Sequence, residues 1–366
     1  MFDFGLLTVP AFAASFVFFM ALFTGEDIAI DKINVSHQLE WTGYSSNTVT
    51  RHLTDELREL GEQASSELTG IEVDGSSLEK SVSAFEEYFE LGLLVNGTRN
   101  LFGMIPYYIN GEVTERQGQA VFTARIYTKD KENPVHLVSV QGEARNMEPI
   151  LHEGALGILE KINPYVVALY HRRQEIATKQ FDFPKTREVA KKFLKTRPVE
   201  EHYLAYGLIG RMHMLKAEKA EGLTPEQRDA EYATAIDHLH GALRQKPDFL
   251  FPVINLALIY SAQGKHDLAD LHFAQAIGIN PDYKLTRKSW GDALIRQERY
   301  RDAVDQYVAA VDLDPKDAAS RDRLAFLYMK LGHTEAARKQ WTKALDLEPL
   351  NQTYTGNLDA LRTSGL

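Results

Sequence analysis

Residues 250–283 read LFPVINLALIYSAQGKHDLADLHFAQAIGINPDY, residues 284–317 read KLTRKSWGDALIRQERYRDAVDQYVAAVDLDPKD, and residues 318–351 read AASRDRLAFLYMKLGHTEAARKQWTKALDLEPLN. Stacked, the three lines agree column by column. Prolines recur every 34 residues, at Pro247, Pro281, Pro315 and Pro349. Large side chains stand at Leu256, Trp290 and Leu324, each followed by a small residue, Ala257, Gly291 or Ala325. The columns Ala269/Ala303/Ala337, Phe273/Tyr307/Trp341 and Ala276/Ala310/Ala344 complete the pattern. A fixed period in this range marks stacked supersecondary units. Small residues let two antiparallel helices approach, large ones fill the gaps between pairs, and each proline stops a second helix because it donates no backbone hydrogen bond and its ring clashes with the preceding turn.

These columns resemble the tetratricopeptide repeat. The resemblance covers about half the chain and implies an all-α solenoid over 181–366, whose first helices line a groove for peptides or protein surfaces and seldom perform chemistry. An earlier repeat ends at Pro247, with Ala235, Leu239 and Ala242 in place. Pro198 lies 49 residues before Pro247, which is 34 plus 15, so an insertion is expected near 216–231, with Gly222 and Pro225 marking a turn. Residues 352–362 are expected to form a capping helix with Leu358 and Leu361 facing inward.

At the other end, residues 4–23 (FGLLTVPAFAASFVFFMALF) carry no charge and are long enough to cross ~30 Å of hydrocarbon as a helix. Pro10 can kink such a helix without excluding it. Ala11 and Ala13 supply an A-x-A pattern, which is the competing signal-peptide reading; the run lacks a basic n-region and continues past that pattern. Residues 1–25 are therefore expected to be a single transmembrane anchor. Lys and Arg counts near the run weakly favour a cytoplasmic body. Bacterial proteins with an anchor, a small α/β domain and repeats, which this chain resembles, imply instead an inner-membrane protein with a periplasmic body.

Residues 26–180 lose the repeat and read as a small α+β domain. Ile28–Val35 suits a strand; Asn47 or Thr48 can cap a helix carrying Val49, Leu53, Leu57 and Leu60. A brief strand at 71–74 and a helix at Ser83–Leu94 follow, then strands at Tyr107–Thr114, Ala120–Thr128 and Val135–Ala144. In the middle one, Phe122, Ala124 and Ile126 alternate with Thr123, Arg125 and Tyr127, a period of two suited to a sheet with one covered face. Arg116–Gln119 supplies a hairpin turn, and Glu148–His171 a long helix that Pro164 kinks or splits. The words EWTGYSSNTVTRHLTDELREL and YYINGEV are similar to the TolB-like amino-terminal domain, which implies a protein-binding or sensory module.

Composition limits function. A net charge of −10 opposes non-specific binding to nucleic acid or anionic lipid. Basic residues in Lys185–Arg197 and His171–Arg173 read as solvated faces of amphipathic helices. The absence of cysteine excludes disulfides and thiolate metal sites. No phosphate loop, G-x-S-x-G elbow or H-E-x-x-H helix is present, so no cofactor, metal or catalytic group is assigned. His238 and His240, two apart, point to opposite sides of a helix, and His266 with Asp270 is a common surface spacing.

The site residues follow from the resemblance, in which positions 2, 5, 9, 12 and 13 of each first helix face the groove. They fall on Phe251, Ile254, Leu258, Ser261 and Ala262, then Leu285, Lys288, Asp292, Ile295 and Arg296, then Ala319, Asp322, Phe326, Met329 and Lys330. Leu258, Asp292 and Phe326 stand where the carboxylate-clamp form has asparagine, which disfavours a chaperone tail as ligand. The apolar part of this face can instead pack against the chain itself. The expected function is a membrane-anchored scaffold binding protein partners in a bacterial envelope complex; the alternatives are an accessory subunit of a larger membrane complex or an envelope sensor.

Overall fold

A computed structural model describes residues 28–41, 43–69, 107–128 and 133–363. The apolar run 4–23 and the elements expected at 71–74 and 83–94 lie outside the described residues. Among those residues, no helix is long and apolar enough to cross a membrane. The chain divides into two compact units, Met1–Arg173 and Gln174–Leu366.

The first unit contains a four-stranded mixed sheet in the order β1-β2-β3-β4, built from β1 (Ile28–Val35), β2 (Tyr107–Arg116), β3 (Gln119–Tyr127) and β4 (His136–Glu143). β1 runs parallel to β2, and the other two pairs are antiparallel. The hairpin between β2 and β3 turns through Gln117 and Gly118, at φ 58° and 79°, the left-handed pair that a two-residue turn requires. Phe122, Ala124 and Ile126 are all fully buried. They face α3 (Glu148–Ile162), while α2 (Ser46–Thr69), which follows the short α1 (His37–Glu40), packs on β1 and on α3. The cap of α2 is Ser45, whose hydroxyl accepts from the Thr48 amide at 3.2 Å, so the helix begins slightly before the expected Asn47 or Thr48. On α3, Gly154 lies against the Phe122 ring and Gly157 against Val138; a Cβ would come within 2.5 and 2.7 Å of them. The long helix expected over Glu148–His171 is two: Asn163 leaves helical geometry and Pro164 starts α4 (Pro164–Ala177), because the residue before proline disfavours the α region.

The second unit is helical. After the last turn of α4 come α5 (Pro184–Thr196) and a short 3₁₀ turn, followed by the pairs α6 (His202–Lys219) and α7 (Pro225–Gln245), α8 (Leu250–Ala262) and α9 (His266–Ile279), α10 (Lys284–Arg296) and α11 (Tyr300–Leu313), α12 (Ala318–Lys330) and α13 (Thr334–Leu347), with α14 (Gln352–Thr363) last. The repeat columns are the core: Ala269, Ala303 and Ala337 are fully buried, and Phe273, Tyr307 and Trp341 are 0, 1 and 6% exposed. The extra residues before Pro247 are not a separate loop. They lengthen both helices of one repeat, to 18 and 21 residues in α6 and α7 against 13 and 14 in α8 and α9. Gly222 turns between them at φ 78°, and Thr224 with Gln227 forms a reciprocal capping box at the start of α7.

Candidate protein-binding face on the helical array

Each first helix presents its inner positions beside those of its neighbours, so residues one repeat apart in sequence become partners. Lys288 donates to Asp317 at 2.8 Å, and Lys284 donates to Asp314 at 2.5 Å. Asp317 also caps α12, accepting from the Ser320 amide at 3.0 Å and its hydroxyl at 2.9 Å. Burial raises the Asp317 pKa, yet the bonds from Lys288 and Ser320 outweigh it and hold the carboxyl below its ordinary range. Asp314 is held low chiefly by the hydrogen bond from Lys284.

The expected residues occupy this face in two different roles. Ile254 is 8% exposed and joins Val253, Ala276 and Tyr283 in a buried cluster. Phe251 sets its ring edge-on to Tyr283 at 5.9 Å and to Phe249 at 6.0 Å. Leu258 packs on the buried residues of three neighbouring clusters. The apolar end of the expected groove is thus occupied by the seams between the chain's own repeats. Asp292 accepts from the Tyr307 hydroxyl at 2.7 Å, with Arg323 3.9 Å away. That phenol is pushed far above its usual range, first by burial and then by the Asp292 carboxylate. Asp322 accepts from the Trp341 indole at 2.7 Å and from Asn357 at 3.4 Å. Phe326 packs on the Leu294–Tyr307–Leu324 cluster and carries the Lys330 ammonium 5.5 Å from its ring centre. Met329 packs on the cluster of Ala318, Trp341 and Tyr354. Arg296, Lys330, Ala262, Ala319 and Arg323 stand exposed. These side chains form a row along the array rather than one enclosed pocket.

Sequence reasoning missed Arg211, Lys284, Asn255 and Asp317. Arg211 on α6 donates to the buried Asn255 on α8 at 2.9 Å. The signal available for the ion pairs was opposite charge at nearly one repeat, since Lys284–Asp314 and Lys288–Asp317 are 30 and 29 residues apart. The histidines singled out by spacing go separate ways. His238 stacks on His213 with centroids 6.0 Å apart, and His213 shares a 2.6 Å hydrogen bond with Glu231. Asp270, the partner suggested for His266, accepts from Trp290 at 2.7 Å and Arg299 at 2.6 Å. Among the described residues no group of three or more such side chains is arranged to hold a metal.

Comparison with known proteins matches the repeat stretch of the chain. Residues 253–283 and 318–349 match the tetratricopeptide repeat family, and 291–332 match a TPR repeat family. The human protein O-mannosyl-transferase TMTC3 is 34% identical over 110 residues, which are 30% of this chain but 12% of that protein. The photosystem I assembly protein Ycf3 of Synechococcus elongatus is 28% identical over 145 residues, 38% of this chain and 69% of that one. A solved structure of YrrB, described as a TPR protein with an unusual peptide-binding site, covers 56% of this chain and 97% of its own at 18% identity and a TM-score of 0.36. The chain is a tetratricopeptide-repeat protein, its repeats preceded by a region built on a mixed β-sheet.

Proposed function

We propose that this chain is a non-catalytic scaffold that holds a partner polypeptide along the first-helix face and is itself tethered to a bacterial inner membrane through residues 4–23, its body on the periplasmic side. Tetratricopeptide repeats bind peptide and protein partners. The observation that carries the reading here is the division of labour on that face. Lys284, Lys288 and Asp317 are tied to one another and keep the helices in register, while Arg296, Arg323 and Lys330 reach solvent beside Phe326 and Met329. A mixed row of exposed cations and half-buried apolar side chains suits an extended segment bearing both acidic and apolar residues. The likeness to a protein named for photosystem assembly supports an assembly role over a sensory one. The TolB-like reading of the first unit gives a second binding module on the same chain.

A photo-crosslinking residue at Ala319, in native membranes, is expected to capture a discrete envelope protein. Arg296→Glu with Lys330→Glu is expected to remove that capture while leaving the helical circular dichroism unchanged, because both side chains are exposed. Retained capture in this double variant would place the partner elsewhere. Protease accessibility of the body in intact spheroplasts tests the periplasmic placement, and turnover by the purified chain alone would remove the scaffold reading.

A further inference from the structure

A second surface lies on α5. This helix buries Thr186, Val189, Ala190 and Phe193 on one side and turns Lys185, Lys191, Lys192 and Lys195 to solvent. Within Lys185–Arg197 there are six basic residues and one acidic residue, Glu188, in a chain of net charge −10. Apart from Lys195 in the last turn, the placement is unfavourable for the helix itself. Lys185 and Arg187 sit in its first turn, where the dipole disfavours cations, and Lys191 and Lys195 are like charges one turn apart. Among the described residues, the ammonium groups of Lys185, Lys191 and Lys195 make no ion pair, whereas Lys216, Lys284 and Lys288 in the repeats all do.

The fold nonetheless fixes this helix firmly. Glu175, 3% exposed, accepts from the Lys185 amide at 2.7 Å and the Thr186 hydroxyl at 2.6 Å. Just before the helix, Phe183 adopts φ 49°, a left-handed conformation disfavoured for any residue with a Cβ, with its ring 1% exposed. A firmly held cationic face results, on which Lys185, Lys191 and Lys195 carry the charge that no ion pair among the described residues offsets. Beyond Pro184 at its start, its exposed positions carry no aromatic or aliphatic side chain, so it has little to insert into hydrocarbon and nothing to stack on bases. Lysine predominates over arginine, and an ammonium is a point charge suited to a diffuse layer of phosphates rather than to one bidentate acceptor.

We propose that the lysine face of α5 lies against the anionic lipid headgroups of the membrane that carries the chain, a contact made by charge alone that orients the repeats. The inference rests on the membrane-tethered reading. The rest of the chain carries net negative charge, which the same surface repels and which leaves this face favoured for the approach.

The test is acetylation footprinting of the full-length chain in vesicles of phosphatidylcholine alone and in vesicles with about 30% phosphatidylglycerol. Labelling of Lys185, Lys191 and Lys195 is expected to slow by about fivefold in the anionic vesicles, while the exposed Lys339 and Lys343 on α13 keep their rates. Salt at about 0.5 M is expected to abolish the difference. Lys191→Glu with Lys195→Glu is expected to restore fast labelling of Lys185. Equal rates in the two lipids overturn the proposal. Protection that appears in native membranes but not in anionic vesicles also overturns it, and assigns the face to an acidic protein. Flotation with phosphatidylcholine vesicles reports the tether separately: a chain that floats only with anionic vesicles keeps the α5 contact and loses the anchor, and one that floats with neither loses both.

Discussion

Two positions show how far one residue can depart from its repeat column. The turn between paired helices uses Gly264 and Gly332, at φ 71° and 78°, and the middle repeat puts Glu298 in that place at φ 59°. A side chain in this region costs roughly 1–2 kcal/mol, partly offset by the chain entropy that glycine brings to the unfolded state. Glu298→Gly is expected to raise the urea midpoint, by about 0.5–1 kcal/mol of stability. Gly291 has the opposite sign. A Cβ there would come 2.6 Å from the Tyr307 ring, which is buried and held at its far end by Asp292. Gly291→Ala is expected to destabilise by about 1–3 kcal/mol despite alanine's better helix propensity. The same change at Gly278, with nothing within 4 Å, should be neutral or stabilising. The sequence column showed that this position is small. It did not show why glycine replaces the alanine of Ala257 and Ala325, because that depends on where the phenol is anchored.

At the scale of elements, alternation and period were legible wherever they were strong. β1 has its expected bounds, β3 alternates as read, and the repeat helices follow their columns, since burial on one face imposes those patterns. Long-range pairing was not legible. That Lys288 belongs to Asp317, or Arg211 to Asn255, follows from how neighbouring helices lie side by side. The site positions were named from the repeat register, with self-packing of the apolar part left open; that Phe251, Ile254 and Leu258 fill seams between the chain's own repeats took three dimensions to see. The α6–α7 seam carries a pH prediction. Burial, and then the neighbouring His213, push the His238 pKa below its ordinary 6.5; burial likewise lowers His272 on α9. The unfolded chain therefore takes up these protons at a higher pH than the native one. Stability is complete above about pH 6.5 and is lost as pH falls through that value towards the lower native ones. Urea midpoints at pH 7.5 and 5.5 are expected to differ, and His238→Gln to reduce the difference. The depressed Asp314 and Asp317 carboxyls act in a separate, more acidic window, below their ordinary 3.8. A flat profile between pH 7.5 and 5.5 would sink the argument.

For the whole molecule, the division into two units has a calorimetric consequence. The sheet core around Phe122, Ile109 and Ile126 belongs to one compact unit, and the repeat core around Phe273, Tyr307 and Trp341 to the other. Heating is expected to resolve two transitions rather than one. Lys288→Met, which breaks the link to Asp317, should lower only the transition of the repeats; a common shift of both would refute their independence. The last helix carries a consequence of another kind. α14 lays Tyr354 and Leu361 over Trp341 and Ala344, and shows Gln352, Thr353, Thr355 and Asp359 to water. A pile of like layers has no natural terminus, since every layer offers the next one a greasy seat. Cut before Gln352, the chain would bare Trp341 and Ala344, and copies are expected to associate through them, visible as a rise in light scattering. This short polar lid roofs that seat over.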